Sequence, residues 1–238
     1  MTRFAFLLVL LAAGCTGHEH QSAVDPAGVQ AGRIHALGTL FLWTTGTVYL
    51  LVMAALACAL LRPRPKGASD TPVAVPPFDR ELRKGVVVTG AVLLTVTILF
   101  VFLIADFVTG RRIDALAEPD PLTVRVTAHQ WWWEVKYDGP TPSEQVTTAN
   151  EVHIPTGRTV RIELESADVI HSFWVPNLHG KTDVIPGQTT RTHLRADRDG
   201  VFWGQCAEFC GLQHANMRFL VVAESAADFQ TWLAGQRR

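Results

Sequence analysis

Two long apolar segments without charged residues dominate the first half of the chain. Residues 36–61 and 85–105 contain no Asp, Glu, Lys or Arg. At about 1.5 Å per residue, a helix of either length spans the roughly 30 Å of hydrocarbon in a bilayer. One buried core helix could imitate such a segment, but two of them in 238 residues favour membrane spans. We therefore predict a transmembrane hairpin with helices over 36–61 and 85–107.

The connection between these segments, residues 62–84, is rich in basic residues. It holds six Lys or Arg against three Asp or Glu. Loops with an excess of Lys and Arg stay in the cytoplasm, so both ends of the hairpin are expected on the extracytoplasmic side. Arg111 and Arg112 favour the opposite orientation, but the loop carries the larger excess. Residues 15–35 and 108–238 are then extracytoplasmic.

The hydrophobic pattern changes after Asp106 from continuous apolar runs to short alternating segments. Apolar and polar residues alternate in 122–128, in 159–165 and in parts of 188–194. Turn residues such as Asp138-Gly139-Pro140 separate these segments. Short strands at regular spacing predict a β-sandwich. Periodicity alone does not distinguish an immunoglobulin-like sandwich from other topologies.

The first fifteen residues resemble a bacterial lipoprotein signal. Arg3 precedes an apolar run, which ends in Leu11-Ala-Ala-Gly14-Cys15. We therefore predict a signal peptide over residues 1–14 and lipidation of Cys15 at the mature N-terminus. An ordinary signal peptide or an uncleaved apolar tail is the alternative, and none of these adds a third span to the mature protein.

Composition agrees with a chain attached to a membrane and excludes one class of partner. Apolar residues make up 48% of the sequence, and the formal net charge is -1. This near-neutral balance excludes a strongly basic nucleic-acid-binding protein. We therefore expect the chain to contact membrane lipid and not to bind nucleic acid.

One short segment of the extracytoplasmic region concentrates metal-binding side chains. The run Cys206-Ala-Glu-Phe-Cys210-Gly-Leu-Gln-His214-Ala-Asn-Met217 supplies two thiols, an imidazole and a thioether. His171 offers a second imidazole upstream. These are the soft and borderline ligands that copper prefers. The cluster therefore favours copper electron transfer over zinc binding.

A disulfide, a zinc site or a mononuclear copper site would use fewer of these residues. A Cys-x3-Cys pair can close a small disulfide in an oxidising compartment. Zinc fits two Cys and two His but leaves Met217 unexplained, because a thioether is a poor zinc ligand. A mononuclear blue-copper centre needs only one Cys. Two thiolates on one loop can instead bridge two copper ions, which share one unpaired electron and change little in geometry between redox states.

The segment resembles the binuclear copper A loop of cytochrome c oxidase subunit II, whose pattern is Cys-x-Glu-x-Cys-Gly-x-x-His-x-x-Met. Every ligand position of that pattern is filled, and the similarity covers about residues 34–230. It includes three further runs: Asp168-Val-Ile-His171-Ser-Phe, Gly180-Lys-Thr-Asp-Val-Ile-Pro-Gly187 and His129-Gln-Trp131-Trp-Trp133. The resemblance implies a membrane-anchored chain in which the two-helix hairpin is followed by an all-β, cupredoxin-like Greek-key barrel.

The resemblance also implies a role for each site residue. Two copper ions would be held by His171, Cys206, the Glu208 backbone carbonyl, Cys210, His214 and Met217. The Glu208 carbonyl and Met217 would be weak ligands of different copper ions. The Glu208 side chain would help to bind magnesium at the boundary with subunit I. Trp131 matches the residue that takes electrons from cytochrome c, with a purely packing role as the alternative.

This chain departs from the family pattern at two places. Trp132 stands where tyrosine is usual, and Val135-Lys136 replaces a common acidic ending, which alters the docking surface around Trp131. Glu81 stands where family members often place a glutamate at the mouth of a proton pathway. The Trp-Thr-x-x-Pro that usually follows it is missing, so the proton-pathway role of Glu81 is only a candidate.

The implied function is that of the electron-accepting subunit of a bacterial haem-copper cytochrome c oxidase. Electrons from cytochrome c would pass through copper A to the haem of subunit I, where oxygen is reduced to water and protons are pumped. Subunit I and subunit III are the implied partners. The implied location is the bacterial cytoplasmic (inner) membrane, as a multi-pass protein with its copper domain on the periplasmic side.

Two other classes fit the residues less well. Subunit II of a quinol oxidase shares the hairpin and the sandwich but lacks copper ligands, so the complete ligand set excludes it. A copper A domain of nitrous oxide reductase or of a copper-delivery protein needs neither the hairpin nor the tryptophan run. The sequence contains no Cys-x-x-Cys-His haem attachment motif. A separate cytochrome c is therefore the expected electron donor.

Overall fold

The computed structural model describes residues 21–62, 78–116 and 121–237. The predicted signal peptide and Cys15 lie outside these residues, as does most of the predicted cytoplasmic loop. The described chain divides into two compact units. The helical unit comprises residues 36–112, and the sandwich unit comprises residues 21–35 together with the described residues from 113 onward.

Two long helices, α1 (Val29–Leu61) and α2 (Phe78–Asp114), supply the helical unit. Both are long and apolar enough to cross a membrane, judged by length and composition. Most of their large apolar side chains are exposed, as expected for surfaces that meet lipid or another subunit. The helices contact each other where the rings of Phe41 and Phe102 stack, with 3.9 Å between their centroids.

Both helices extend beyond the uncharged segments that hydropathy marks. The added turns of α2 carry Asp79 and Glu81 at its start and Arg111 and Arg112 at its end. These charges complement the helix dipole, because the N-terminus of a helix is partially positive and its C-terminus partially negative. The added turns of α1, residues 29–35, belong to the sandwich unit. Polar residues can therefore continue a helix past the segment suited to lipid.

The sandwich unit contains ten strands in the described residues: β1 (Leu122–His129), β2 (Trp132–Tyr137), β3 (Val146–Ala149), β4 (Glu151–Pro155), β5 (Val160–Ser166), β6 (His171–Trp174), β7 (Thr182–Val184), β8 (Thr190–Leu194), β9 (Gly200–Cys206) and β10 (Arg218–Glu224). They form two sheets, ordered β3-β2-β1-β5-β8 and β4-β10-β9-β6-β7. A helix, α3 (Ala226–Gln236), follows β10.

The connectivity of the sheets is that of a Greek-key sandwich. The neighbours β1 and β5 are parallel, as are β4 and β10, while the other neighbouring pairs are antiparallel. Each sheet therefore contains strands that are far apart in the chain, which hairpins alone cannot bring together. The fold class, two long apolar helices with a cupredoxin-like sandwich, is confirmed.

An aromatic cluster fills the core between the two sheets. Trp133 is fully buried, and its ring lies 5.7 Å from that of Phe173 and 5.3 Å from that of Phe219. The rings of Phe173 and Phe219 stack at 4.5 Å. Each such pair contributes about 0.5–1.5 kcal/mol beyond area burial. Because Phe173 pairs with Cys206 across β6 and β9, this cluster packs in the core next to the predicted metal ligands.

Candidate metal centre

Neighbouring strands fix both ends of the Cys206–Met217 loop. Cys206 is the last residue of β9, and Met217 directly precedes β10. The Cys206 amide donates to the Met217 carbonyl at 2.9 Å, which extends the antiparallel pairing of the two strands. His171 is the first residue of β6, which pairs with β9. Three of the predicted ligands therefore stand at the same end of one sheet.

The predicted ligand atoms converge on the two cysteine sulfurs. The Sγ atoms of Cys206 and Cys210 are 3.7 Å apart. Cys206 Sγ lies 3.8 Å from His171 Nδ1. Cys210 Sγ lies 3.6 Å from His214 Nδ1 and 3.7 Å from Met217 Sδ. Because a disulfide requires about 2.05 Å between sulfurs, both thiols are free.

Glu208 presents its backbone and its side chain to different surroundings. Its carbonyl oxygen lies 3.1 Å from Cys206 Sγ. Its carboxylate is 46% exposed and lies 3.7 Å from Lys181 Nζ. The carbonyl is therefore available as a weak metal ligand at the thiols. The carboxylate faces away from the thiols, toward Lys181 at the surface.

Most of the donor atoms are shielded from water. Cys206 and Cys210 are each 3% exposed, and His171 and Met217 are fully buried. His214 is half-buried. One ligand atom from each of His171, Cys206 and Cys210 lies within 4.8 Å of the other two. Such a buried cluster of soft donors suits copper and would shield a bound ion from water and competing ligands.

Asp168 fixes the ring of His171. Its Oδ1 accepts a hydrogen bond from His171 Nε2 at 2.7 Å, while His171 Nδ1 faces the thiol. Its Oδ2 accepts from the backbone N–H of Gln130 at 2.7 Å. In metal-binding histidines the N–H of the second ring nitrogen often donates a hydrogen bond to a carboxylate in this way. The ring is thus oriented with Nδ1 available for a metal.

The two thiols differ in acidity in the metal-free chain. Burial tends to raise the pKa of Cys206, but hydrogen bonds to His171 and to the surrounding backbone outweigh it and lower the pKa to about 6. Burial and the neighbouring Cys206 raise the pKa of Cys210 to about 12. One thiolate therefore forms readily, and a second so close to it is opposed. A bound cation would relieve this repulsion, which fits a metal site.

The carbonyl oxygen of Cys210 accepts two side-chain hydrogen bonds. Gln130 Nε2 donates at 2.7 Å and Trp131 Nε1 donates at 3.1 Å. The next residue, Gly211, has a φ of 114°, a conformation that favours glycine. A Cβ atom there would lie 3.0 Å from Gln130 Nε2 and 3.3 Å from the Trp131 ring. The glycine therefore permits the close contact between Trp131 and the loop.

The three consecutive tryptophans have three different environments. Trp131 is half-buried against the Cys206–Met217 loop. Trp132 is 37% exposed and stacks on His129 with 4.5 Å between ring centroids. Trp133 is fully buried in the core. Successive residues of a strand point to opposite faces, which accounts for the contrast between Trp132 and Trp133.

Two residues with supporting roles were not predicted as site residues from the sequence. Asp168 orients His171, and Gln130 links Asp168 to the Cys210 carbonyl. Both stand in runs that carry the family resemblance, next to residues with predicted roles. Their closeness in the sequence to residues with predicted roles could have pointed to them. The sequence alone does not show which loops meet in space.

The remaining predicted residues lie elsewhere. Glu81 belongs to the helical unit, where its carboxylate pairs with Lys84 Nζ at 2.7 Å. Cys58, for which no site role was predicted, is exposed on α1. Cys15 lies outside the described residues.

The described donor set, with two sulfurs between two imidazoles and a thioether beside them, fits copper better than zinc because a thioether is a poor zinc ligand.

Comparisons with known proteins relate the chain to subunit II of cytochrome c oxidase. A family model described as cytochrome C oxidase subunit II, periplasmic domain, matches residues 139–225. Cytochrome c oxidase subunit 2 of Alkalihalophilus pseudofirmus is 37% identical over 238 residues, which cover 96% of this chain and 66% of that protein. A probable cytochrome c oxidase subunit 2 of Rickettsia bellii is 27% identical over 252 residues, covering 97% of this chain and 91% of that protein.

A solved structure is also similar. The periplasmic domain of subunit II of cytochrome oxidase from Bradyrhizobium japonicum is 29% identical, with a TM-score of 0.47, and the similarity covers 51% of this chain and 96% of that one. The family model spans all six predicted copper ligands, and the sequence similarity to the Alkalihalophilus protein extends through the helical hairpin. The chain belongs to the cytochrome c oxidase subunit II family.

Proposed function

We propose that this chain accepts electrons from cytochrome c at a dinuclear copper A centre and passes them to the haem of subunit I. One observation carries the proposal. Two buried sulfurs lie 3.7 Å apart, and each has an imidazole Nδ1 within 3.8 Å. Oxygen reduction and proton pumping would take place in subunit I.

The residues that would hold the copper ions are His171, Cys206, the Glu208 carbonyl, Cys210, His214 and Met217. When bound, the two ions would supply a one-electron redox centre with the unpaired electron shared between them. The chain holds the donors in place through β6, β9 and β10 and through the aromatic cluster below them. Ligands fixed on rigid strands move little when the charge of the site changes. This favours fast electron transfer.

Trp131 is the residue through which electrons would reach the site. Its indole contacts Gly211 and donates a hydrogen bond to the Cys210 carbonyl. It is also half-buried rather than enclosed, so a docked protein could contact it. The side chain thus joins the surface to a cysteine that would help to hold the copper ions.

Two further roles are proposed for acidic residues. The exposed carboxylate of Glu208 would contribute to a magnesium site at the boundary with subunit I, where a cation would compete with Lys181. Glu81 near the start of α2 would stand at the mouth of a proton pathway into subunit I. Each role depends on a partner subunit, and subunit III would complete the complex.

The location of the chain would be the bacterial cytoplasmic membrane. The segment before α1 and the segment after α2 contact each other within the sandwich unit, as the bond from Ala27 N to Asn177 O at 2.7 Å illustrates. If both helices cross the bilayer, their outer ends must therefore emerge on the same side. The basic loop over 62–84 would lie in the cytoplasm, which puts the copper domain on the periplasmic side.

Copper analysis of the full-length chain in detergent tests the proposal. We expect two copper ions per chain and a mixed-valence electron paramagnetic resonance signal shared over both. Cys206→Ser and Cys210→Ser should each abolish that signal, because each removes a thiol that would hold copper. Cys58→Ser is the matched control, since Cys58 lies exposed on α1, and it should leave the copper content unchanged.

One copper ion per chain, or a preference for zinc when both metals are offered, would refute the dinuclear proposal. Retention of the shared signal in either Cys206→Ser or Cys210→Ser would refute the assignment of that cysteine to the copper centre.

A further inference from the structure

Residues 21–31, here called the N-terminal segment, lie in a groove on the sandwich. The groove is formed by two loops, residues 175–178 after β6 and residues 195–198 after β8. Ala27 N donates to Asn177 O at 2.7 Å, Ala31 N donates to Leu178 O at 3.0 Å and Asp197 N donates to Ala27 O at 2.8 Å. Backbone bonds to both loops fix the register of the segment.

Side chains strengthen this docking. Asn177 is 1% exposed; its Oδ1 accepts from Ser22 N at 3.0 Å, and its Nδ2 donates to Asp25 O at 2.9 Å. The Asp25 carboxylate pairs with Arg198 at 2.9 Å. Ala27 is 3% exposed and belongs to the hydrophobic core. The segment therefore completes the core and satisfies a buried amide, which a loosely attached tail would not do.

Gly28 sets how closely the N-terminal segment can approach the groove. It forms a β-bridge with Ala196. A Cβ atom at this position would lie 2.5 Å from the Arg195 carbonyl oxygen and 3.0 Å from that of Leu178. No side chain fits there without displacing backbone. Gly32, one turn further along α1, has nothing within 4 Å of such an atom.

The docked segment joins the two strands that carry predicted copper ligands. His171 lies in β6 and Cys206 in β9, and the register between these strands contains two pairs, Phe173 with Cys206 and Trp174 with Gln205. Gln21 Nε2 donates to Gln205 Oε1 at 2.8 Å. Asn177, which accepts from Ser22, follows β6 by three residues. The segment thus contacts β9 at Gln205, in the last pair of the ladder, and the chain just after β6 at Asn177.

We propose that the N-terminal segment is a positioning element of the copper centre. Docked in its groove, it holds β6 and β9 in register and so keeps the His171 ring and the Cys206 sulfur at their mutual distance. None of its residues would contact copper. They would act through Asn177 and Gln205. This inference rests on the proposed function, because it assumes that the site holds copper. The docking of the segment can be measured without metal.

The test compares Gly28→Ala with Gly32→Ala in the full-length chain in detergent. Hydrogen exchange reports whether residues 21–31 stay docked, and a competing chelator reports copper affinity. For Gly28→Ala we expect faster exchange in residues 21–31 and at Asn177, and about a tenfold loss of copper affinity, at the low end of the effect of supporting residues at metal sites. Its resonance signal and midpoint potential should also shift. Gly32→Ala should match the wild type in all four measurements.

A milder variant, Gln21→Ala, keeps the inference testable if Gly28→Ala does not fold. It removes one hydrogen bond to Gln205 and leaves the backbone free to dock, and it should shift the copper signal in the same direction by a smaller amount. Faster exchange in Gly28→Ala with unchanged copper affinity, signal and potential would overturn the inference and leave the proposed function standing. A wild-type chain without a copper pair would overturn both. Unchanged exchange in Gly28→Ala would overturn the claim that Gly28 controls docking, and the inference with it.

Discussion

The indole of Trp131 donates a hydrogen bond of 3.1 Å to the carbonyl oxygen of Cys210. An aromatic ring that reaches the surface is thereby joined directly to the backbone of a predicted bridging ligand. The positive φ of Gly211 and the absence of a side chain there leave room for this contact. The contact therefore depends on three residues that are local to two loops, and Trp131 and Gly211 can each be changed without altering a metal donor.

Replacement of Trp131 by phenylalanine should slow reduction by cytochrome c while sparing the copper centre. Phenylalanine keeps an aromatic ring but cannot donate to the Cys210 carbonyl. We expect the reduction rate to fall roughly 100-fold, equivalent to about 2.7 kcal/mol of activation free energy. Stopped-flow reduction of the copper-loaded chain by cytochrome c measures the rate, and the absorption spectrum measures the site.

The control for this experiment is Trp132→Phe, because Trp132 is 37% exposed and stacks on His129 instead of the loop. Its reduction rate should change far less. A normal rate in Trp131→Phe with intact copper would remove Trp131 from the pathway. Joint loss of copper and expression would instead indicate that Trp131 has a packing role.

Neutralising Asp168 should weaken copper binding. In Asp168→Asn the side chain can accept only through one oxygen, so the bonds from His171 Nε2 and Gln130 N compete for it. Loss of such a supporting carboxylate lowers metal affinity by about 10- to 100-fold. Chelator competition measures the affinity. Asp138→Asn, which removes an exposed partner of Arg125, is the control, and equal affinities in both variants would contradict the role of Asp168.

The ion pair of Asp168 and His171 should make the stability of the copper-free chain sensitive to acid. Burial tends to raise the pKa of Asp168, but hydrogen bonds from His171, Val169 and Gln130 lower it below 3.8. A carboxyl group whose pKa is lowered on folding stabilises the folded state above its unfolded pKa and loses that contribution as the pH falls. The unfolding temperature of the copper-free chain should therefore decrease when the pH is lowered below about 4.

His171 gives the opposite dependence at higher pH. Burial tends to lower its pKa, but the bonds to Cys206 and Asp168 raise it above 6.5. Its contribution is present below about pH 6.5 and is lost as the pH rises through the raised value. Thermal unfolding of copper-free wild type and Asp168→Asn across this range tests both signs. Curves of identical shape would show that the pair does not contribute.

Met217→Leu should retain both copper ions but shift the midpoint potential. A weak axial ligand tunes the metal more than it holds it. Leucine also matches methionine closely in volume, so the fully buried position should lose less than about 1.5 kcal/mol of stability. Redox titration measures the shift, with Met53→Leu on α1 as the control. Loss of copper in Met217→Leu would make the thioether a principal ligand.

Cysteine labelling in intact spheroplasts tests the proposed orientation. In a Cys58→Ser background, Ala23→Cys places a thiol at an exposed position of the N-terminal segment, and Ser69→Cys places one in the predicted cytoplasmic loop. An impermeant maleimide should label the first in intact spheroplasts and the second only after permeabilisation. The reverse pattern would invert the orientation.

The sequence was most informative where a feature is local in the chain. Hydropathy identifies the apolar parts of α1 and α2 because lipid selects continuous runs of side chains. The spacing from Cys206 to Met217 suggests a metal loop because one turn brings these donors together. The fold class follows from strand periodicity combined with the family resemblance.

Contacts between distant segments were not predictable from the sequence. Gln130 meets Asp168 and Cys210 across separations of 38 and 80 residues, and no periodic pattern encodes such a meeting. Gln30 is another case, since a polar residue is expected to be exposed. It is fully buried, and its amide donates to the His193 carbonyl at 3.1 Å. Only tertiary structure reveals that partner.

The docking of the N-terminal segment has a consequence for the order of biosynthesis. Gln21 and its partner Gln205 are separated by 184 residues. At about 5–20 residues per second, the ribosome completes Gln205 roughly 10 to 40 s after Gln21. Throughout that interval the segment has no groove to occupy, so its backbone remains open to processing enzymes. The fold therefore allows maturation of the N-terminus first and closure of the sandwich last, and pulse-chase comparison of signal cleavage with protease resistance would reveal that sequence of events.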